Sequence, residues 1–242
     1  MDPRFHPSNF FRPKEALMNS RLLSIPLALT LVACGGNNNA VSRNNPGTGT
    51  STLRVQADVD ATPSSTDLQV EVRDSAGNRI SGATVIISNP TWGPVTLPEA
   101  NPPSGQYVGS KIGFPAGDFT LSVAATLPSG IPANVQNVVV GGPGVHAINA
   151  PAQNAIVPKN VPLQLSWTTP SLAMGATIRT KDYGPAAATD TGTFTIPGPG
   201  NPPNNNQSLT IARYNEIDMA GGVSGSRLRV TVESVVSPYF VQ

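Results

Sequence analysis

Leu53-Arg54-Val55-Gln56-Ala57-Asp58-Val59-Asp60 alternates apolar with polar residues without a break, and Leu68, Val70 and Val72 repeat the alternation further on. Successive side chains of a strand point to opposite faces, so this period of two sends one face of each segment into a core and leaves the other in water. Asp74-Ser75-Ala76-Gly77-Asn78-Arg79 turns the chain, with Gly77 free to take a positive φ, and Ala83, Val85 and Ile87 open another strand that stops before Asn89-Pro90. Further strands are expected at 106–111, 118–125, 135–140 and 145–149. Seven short strands with turn signals between them predict an antiparallel β-sandwich of about 100 residues over 53–149.

After Gly141-Gly142-Pro143-Gly144 the alternation begins again, with Asn149-Ala150-Pro151 as the joint. Val161, Leu163, Leu165 and Trp167 alternate with Pro162, Gln164 and Ser166, which puts Trp167 on the buried face of an early strand. Strands at 176–180, 193–196, 208–213 and 227–236 fill out a second sandwich over 150–242. Between Pro197 and Gln207 a Pro, Gly and Asn segment reads as a long loop. Tyr214–Ala220 has room for two helical turns, but its apolar spacing is poor and Gly221-Gly222 ends it. The expected fold class is therefore all-β, with two consecutive antiparallel β-sandwich domains and no shared register between them that would mark a duplication.

Asp74, Gly77, Ile80, Gly82, Ala83 and Val85 follow a D-x-x-G-x-x-I-x-G-A-x-V pattern. It resembles the opening hairpin of carboxypeptidase-regulatory-like and transthyretin-like modules. That resemblance implies turn-making by the aspartate and glycine, close strand packing through the Gly-Ala pair, and no catalytic role. The alternation around Trp167 resembles the use of a core tryptophan in fibronectin type III and related Ig-like modules, and Asp190-Thr191-Gly192-Thr193-Phe194-Thr195-Ile196-Pro197 looks like the turn and strand of Ig-like repeats in bacterial lipoproteins.

Toward the amino terminus, Leu22 to Ala33 is an apolar run of 12 residues behind Arg21, interrupted by Pro26. It is too short to span a bilayer and reads as the h-region of a signal peptide. Leu31-Val32-Ala33-Cys34 at its end resembles the lipobox of bacterial lipoproteins. The resemblance implies a diacylglyceryl group on Cys34, cleavage before it, and acylation of the new amino terminus. Met18-Asn19-Ser20-Arg21 supplies a second start and a basic n-region, so translation is expected to begin at Met18 or Met1, and 1–33 is set aside as extension and signal. From Cys34 to Thr52 the chain is Gly, Asn, Ser and Thr with almost nothing apolar, a composition expected of a disordered tether. Gly35 stands where some Gram-negative lipoproteins carry an aspartate that retains them in the inner membrane, so the resemblance implies the outer membrane.

The chain has 242 residues, 15 Lys+Arg and 14 Asp+Glu. Without Arg4, Arg12, Lys14, Arg21, Asp2 and Glu15, the part from Cys34 onward holds 11 basic and 12 acidic residues. No basic field exists to hold nucleic acid. Charged residues are 12% of the chain and Gly with Pro make up 48 residues, a composition rich in turns. The single cysteine rules out an intrachain disulfide, so packed cores must supply stability.

Candidate chemistry is sparse. His146 is the sole histidine of the processed chain and lacks a G-x-S-x-G or other nucleophile context, so it reads as structural. With the cysteine committed to lipid, no zinc or copper ligand set remains. Asp58 and Asp60 project from one strand face with Asp67 a short loop away, which makes these three the calcium candidates, though no glycine-centred loop adds further oxygens. Lys111, Lys159 and Lys181 show no sign of the burial that a Lys–Asn cross-link needs. Trp92, in a Pro-rich loop at 91–98, is either a binding group or a plug over the core, and the plug is preferred. Trp92 with Tyr107, or Tyr183 with Tyr214, are the aromatic pairs able to form a sugar platform. Asn204, Asn205 and Asn206 are the binding candidates of the second loop. The function expected is a non-enzymatic, lipid-anchored envelope protein without cofactor, whose β-modules act structurally or adhesively toward protein or polysaccharide; a glycan- or solute-binding lipoprotein is the alternative, and a hydrolase stands behind both.

Overall fold

The computed structural model describes residues 44–49, 51–101 and 104–242. The segment expected to be a signal peptide, Cys34 and both candidate start residues lie outside them. Within the described residues the strands are, in chain order, β1 (Leu53–Ala61), β2 (Ser65–Asp74), β3 (Thr84–Asn89), β4 (Gly93–Leu97), β5 (Gln106–Ile112), β6 (Asp118–Thr126), β7 (Pro132–Gly141), β8 (Ile148–Ala150), β9 (Ile156–Val157), β10 (Leu163–Trp167), β11 (Gly175–Thr180), β12 (Ala186–Ala188), β13 (Thr193–Ile196), β14 (Asn204–Asp218) and β15 (Arg227–Val241). The fold is all-β, with one 3-10 turn at Gly198–Gly200 among the described residues.

One sheet of eight strands carries the order β12-β11-β14-β15-β1-β2-β5, with β9 added against the end of β15. Most neighbours are antiparallel, while β1 and β9 both run parallel to β15. Two smaller sheets cover its inner face. The sheet β4-β3-β6-β7 closes one core, built from Val55, Val59, Leu68, Ile87, Phe119, Leu121, Val135 and their neighbours. The sheet β13-β10-β8 closes the other, built from Leu165, Trp167, Ile178, Ile196, Leu209, Ile211, Tyr239 and Val241.

The alternation at Leu53 is realised in full: Leu53, Val55, Ala57 and Val59 are buried, and the residues between them face outward. β14 and β15 have 15 residues each, a span of about 50 Å, and they serve both cores. Leu209 and Ile211 of β14 pack in the second core while Met219, just past its end, packs in the first; Leu228 and Val230 of β15 belong to the first core and Tyr239 and Val241 to the second. The parallel pairing of β1 with β15 then joins segments from either side of residue 150 in one sheet. All described residues fall within one compact unit, 39–242.

Several local expectations change. Tyr214–Asp218 is strand, since every residue from Leu209 to Asp218 pairs across to β15 and this ladder outweighs any local helical tendency. Val161 is 41% exposed and does not join the Trp167 face, because β10 starts only at Leu163, beyond Pro162, which has no amide hydrogen for a ladder. Residues 93–97 are not loop but β4, paired to β3 through a turn in which Asn89 Oδ1 accepts the Thr91 amide at 2.8 Å. Part of the expected tether is also ordered: Asn45 pairs with Val139, Thr48 with Gln136, and the Ala220 amide donates to Pro46 O at 2.9 Å.

The Asp74 turn forms as its residues dictate. Gly77 sits at φ +87°, and Asp74 Oδ1 accepts the amides of Ala76 and Asn78 at 2.9 and 2.8 Å. Gly82 has open space where a Cβ would lie and a φ of +70°, so its backbone angle, and not close packing, requires glycine.

Candidate functional site

The outer face of the eight-stranded sheet carries organised polar groups. Where β1, β15, β14 and β11 lie side by side, Asp58, Asp60, Arg227, Arg229, Thr231, Glu233, Thr210 and Arg179 line a shallow concavity of about 320 Å³. These residues occupy the polar phase of strands whose other phase is core, so the same alternation that builds the cores fixes this face. Arg227 bridges two strands, donating to Glu216 Oε2 at 2.5 Å and Asp58 Oδ1 at 3.1 Å. Arg229 lies 3.6 Å from the same Glu216 oxygen and 4.0 Å from the centre of the Tyr214 ring, a cation–π contact. Asp60 has its carboxyl pushed above the usual range by burial and by the neighbouring Asp58, against the opposing Thr231 hydrogen bond and Arg229 charge. Among the described residues Asp60, Glu233 and Arg179 have no ion-pair partner within 4.0 Å.

Asp58, Asp60 and Asp67 do share this face, with Asp60 and Asp67 directly paired across β1 and β2. Asp58 is spent on Arg227, and among the described residues no group of three or more His, Cys, Asp or Glu is arranged to hold a metal ion. Trp92 turns its ring edge onto Phe119 at 5.7 Å and packs on the first core, as a plug would. Tyr107 is 1% exposed, its hydroxyl accepting from the Ala83 amide at 2.8 Å and donating to Ile80 O at 3.1 Å, so it forms no platform with Trp92. Tyr183 leans on Phe194 while Tyr214 lies under Arg229.

Asn204–Asn206 are not the tip of a loop. They begin β14, where Asn204 Nδ2 and Gln207 Nε2 both donate to Asp182 Oδ2 at 2.7 Å, and Lys181 Nζ donates to Asn206 O. The preceding segment is held as well: Asn201 is 2% exposed and donates to Pro158 O at 3.0 Å. Amide side chains bonded to Asp182 and to the Pro158 carbonyl thus fix a segment expected to be a loop.

His146 is buried, just ahead of β8, and its Nε2–H donates to Ile211 O at 3.0 Å, while Nδ1 has no partner. Burial, followed by the nearby Arg213 charge, lowers its pKa to about 4, against the Ile211 hydrogen bond and Asp190. Nothing nucleophilic faces it in these bonds; it is a neutral core histidine.

The sequence reading passed over a buried brace. Arg213 and Asp190 form an ion pair at 2.5 Å with side-chain exposures of 0% and 3%. Arg213 Nε donates to Asp190 Oδ1 at 2.8 Å, Nη1 to Pro143 O at 2.6 Å and Nη2 to Ser171 O at 2.5 Å, while the Trp167 indole donates to Asp190 Oδ1 at 3.0 Å. Asn215, next on the same face, donates to Gly141 O at 2.7 Å and Leu172 O at 3.1 Å. One side chain thus ties the 141–145 segment to the 170–172 segment, with its charge matched. The signal for it lay in the strand period, which sets Arg213 and Asn215 in phase with Leu209 and Ile211.

No family model matches the chain, and no curated protein matches it. Among solved structures, fibronectin(III)-like modules of Clostridium thermocellum CbhA share 14% identity over 78% of this chain and 94% of theirs, with a TM-score of 0.27. A Ca2+-stabilised adhesin with which an Antarctic bacterium binds ice shares 12% over 79% of this chain and 49% of its own, with a TM-score of 0.25. Superpositions this loose leave the description of the fold to its own strand order. No helix among the described residues is long and apolar enough to cross a membrane.

Proposed function

We propose that the protein is exported, anchored to the bacterial cell envelope by lipid on Cys34, with the outer membrane as its site, and that it is a non-enzymatic structural or adhesive unit. The observation that carries the reading is the outer sheet face, a wide surface left uncovered and already organised by Arg227 and Arg229. The concavity holds Asp58, Asp60 and Glu233 against Arg179, Arg227 and Arg229, so its charges cancel. A balanced face exerts no long-range pull on nucleic acid or anionic lipid; it selects a partner by short polar contacts, as a protein surface or neutral polysaccharide would supply.

The alternative reading, a glycan- or solute-binding lipoprotein, draws on one observation: three charged groups without ion pairs line a concavity within the size range of ligand sites. A hydrolase reading draws on Asp58 and Asp60, but Arg227 occupies the first of these.

Fractionation and envelope-binding assays test the proposal together. The wild-type chain should sediment with membranes and Cys34→Ser should not. Glu233→Lys with Asp60→Lys should weaken association with isolated envelope material while circular dichroism shows the β fold retained, because both residues lie on the outer phase of their strands and outside the cores. Unchanged association in the double variant contradicts the assignment of this face, and glycoside or ester hydrolysis abolished by Asp60→Asn contradicts the non-enzymatic reading.

A further inference from the structure

Phe114, Ala116, Gly117, Val145, Pro170 and Leu172 enclose an apolar groove of about 380 Å³, whose remaining wall is the glycine-rich turn after β7. Leu172 is 71% and Val145 43% exposed, and Asp118 is the one charged residue in the lining. The groove is a built feature, since Arg213 and Asn215 fasten both its lips from beneath through Pro143 O, Ser171 O, Gly141 O and Leu172 O. The described chain also begins here: Asn44 Oδ1 accepts the amide of Gly141, a groove residue, at 3.1 Å.

Ten residue steps separate Asn44 from Cys34. A segment of that length reaches at most about 35 Å. A lipid on Cys34 would hold the groove side of the body within that reach of the bilayer, and the groove rim carries exposed apolar side chains with one charged residue, Asp118, in its lining.

We infer that the groove rim, through Leu172 and Val145, docks on the surface of the bilayer that holds Cys34, so that the body lies against the membrane with its β7 end down. The inference rests on the anchoring proposed above. Its chemistry is that of the interfacial zone, where apolar side chains insert among headgroups and adjacent polar backbone keeps its water. Docking would leave the outer face of β1, β15 and β14 open to partners.

The test uses the mature lipoprotein reconstituted in vesicles of phosphatidylethanolamine and phosphatidylglycerol, with a fluorophore on Leu172→Cys or, as control, on Asn205→Cys. Asn205 lies on β14 ten residues from Asn215, about 33 Å away along the strand. Flotation with the vesicles reads the anchor, and quenching by lipids brominated along their chains reads docking. The expected result is flotation of both, loss of most emission at 172 and none at 205, with recovery of emission at a Val145→Cys label when Leu172→Asp is added. Leu172 is exposed enough that neither change threatens folding. Flotation with equal emission at 172 and 205 overturns docking alone; a chain that fails to float overturns the anchor and docking together.

Discussion

Arg213 is the residue on which most of the unforeseen structure depends. A guanidinium in a core is tolerated because Asp190 neutralises it and backbone carbonyls take its remaining donors, an arrangement that is costly to break from one side. Asp190→Ala should destabilise the protein by about 3–5 kcal/mol in chemical denaturation, since it strands a buried charge and the Trp167 indole hydrogen bond as well. A loss below ~1 kcal/mol would mean that water reaches the brace. His146 adds a pH dependence. Its pKa lies at about 4 in the folded protein against an ordinary 6.5, so between these values the unfolded chain binds more protons. Stability from this group is therefore complete above pH ~6.5 and declines as pH falls toward 4, by about 3 kcal/mol in total. Denaturation midpoints measured across pH 4–7 should show that fall in the wild type and a shallower one in His146→Phe.

Among the strands, the long hairpin of β14 and β15 matters most, and its beginning is held by Asp182. Asp182→Ala frees Asn204 and Gln207 together, and should cost about 1–3 kcal/mol because Gln207 is buried and loses a bond to a charged acceptor. Deleting Gly198–Asn206 should unfold the second core, contrary to what a plain loop would allow; circular dichroism of the deletion variant checks this. Strands such as β1, β2, β6 and β10 were legible in sequence because alternation is a local property, readable from Leu53 or Leu163 alone. The extent of β14 and β15 was not, since polar Asn204–Asn206 and the aromatic and acidic Tyr214–Asp218 become strand only by pairing across to β15. The parallel register of β1 with β15 joins residues more than 160 positions apart and leaves no mark in either segment. The outer polar face was half visible, as Asp58 and Asp60 fell in phase, but Arg227, the partner of Asp58, lies on a strand whose adjacency no local pattern gives.

The shared hairpin governs how the whole body unfolds and how it is displayed. Two cores on one sheet, joined through β14, β15 and β1, should melt in a single calorimetric transition, and Trp167→Ala should lower that transition as a whole by about 3–5 kcal/mol. Two resolved transitions would assign the cores separate stability. Cleavage of the chain near residue 150 should leave both parts associated under native conditions, because each contributes strands to the large sheet. The proposed contact of the charge-balanced face with envelope components, and the proposed docking of the groove rim, both presuppose the anchor on Cys34. Mass spectrometry of tryptic peptides from the membrane fraction tests that most directly. Cleavage after Arg43 should yield a Cys34–Arg43 peptide whose mass carries a diacylglyceryl group and an amino-terminal acyl chain; an unmodified peptide running from Leu22 through Cys34 to Arg43 would contradict the account.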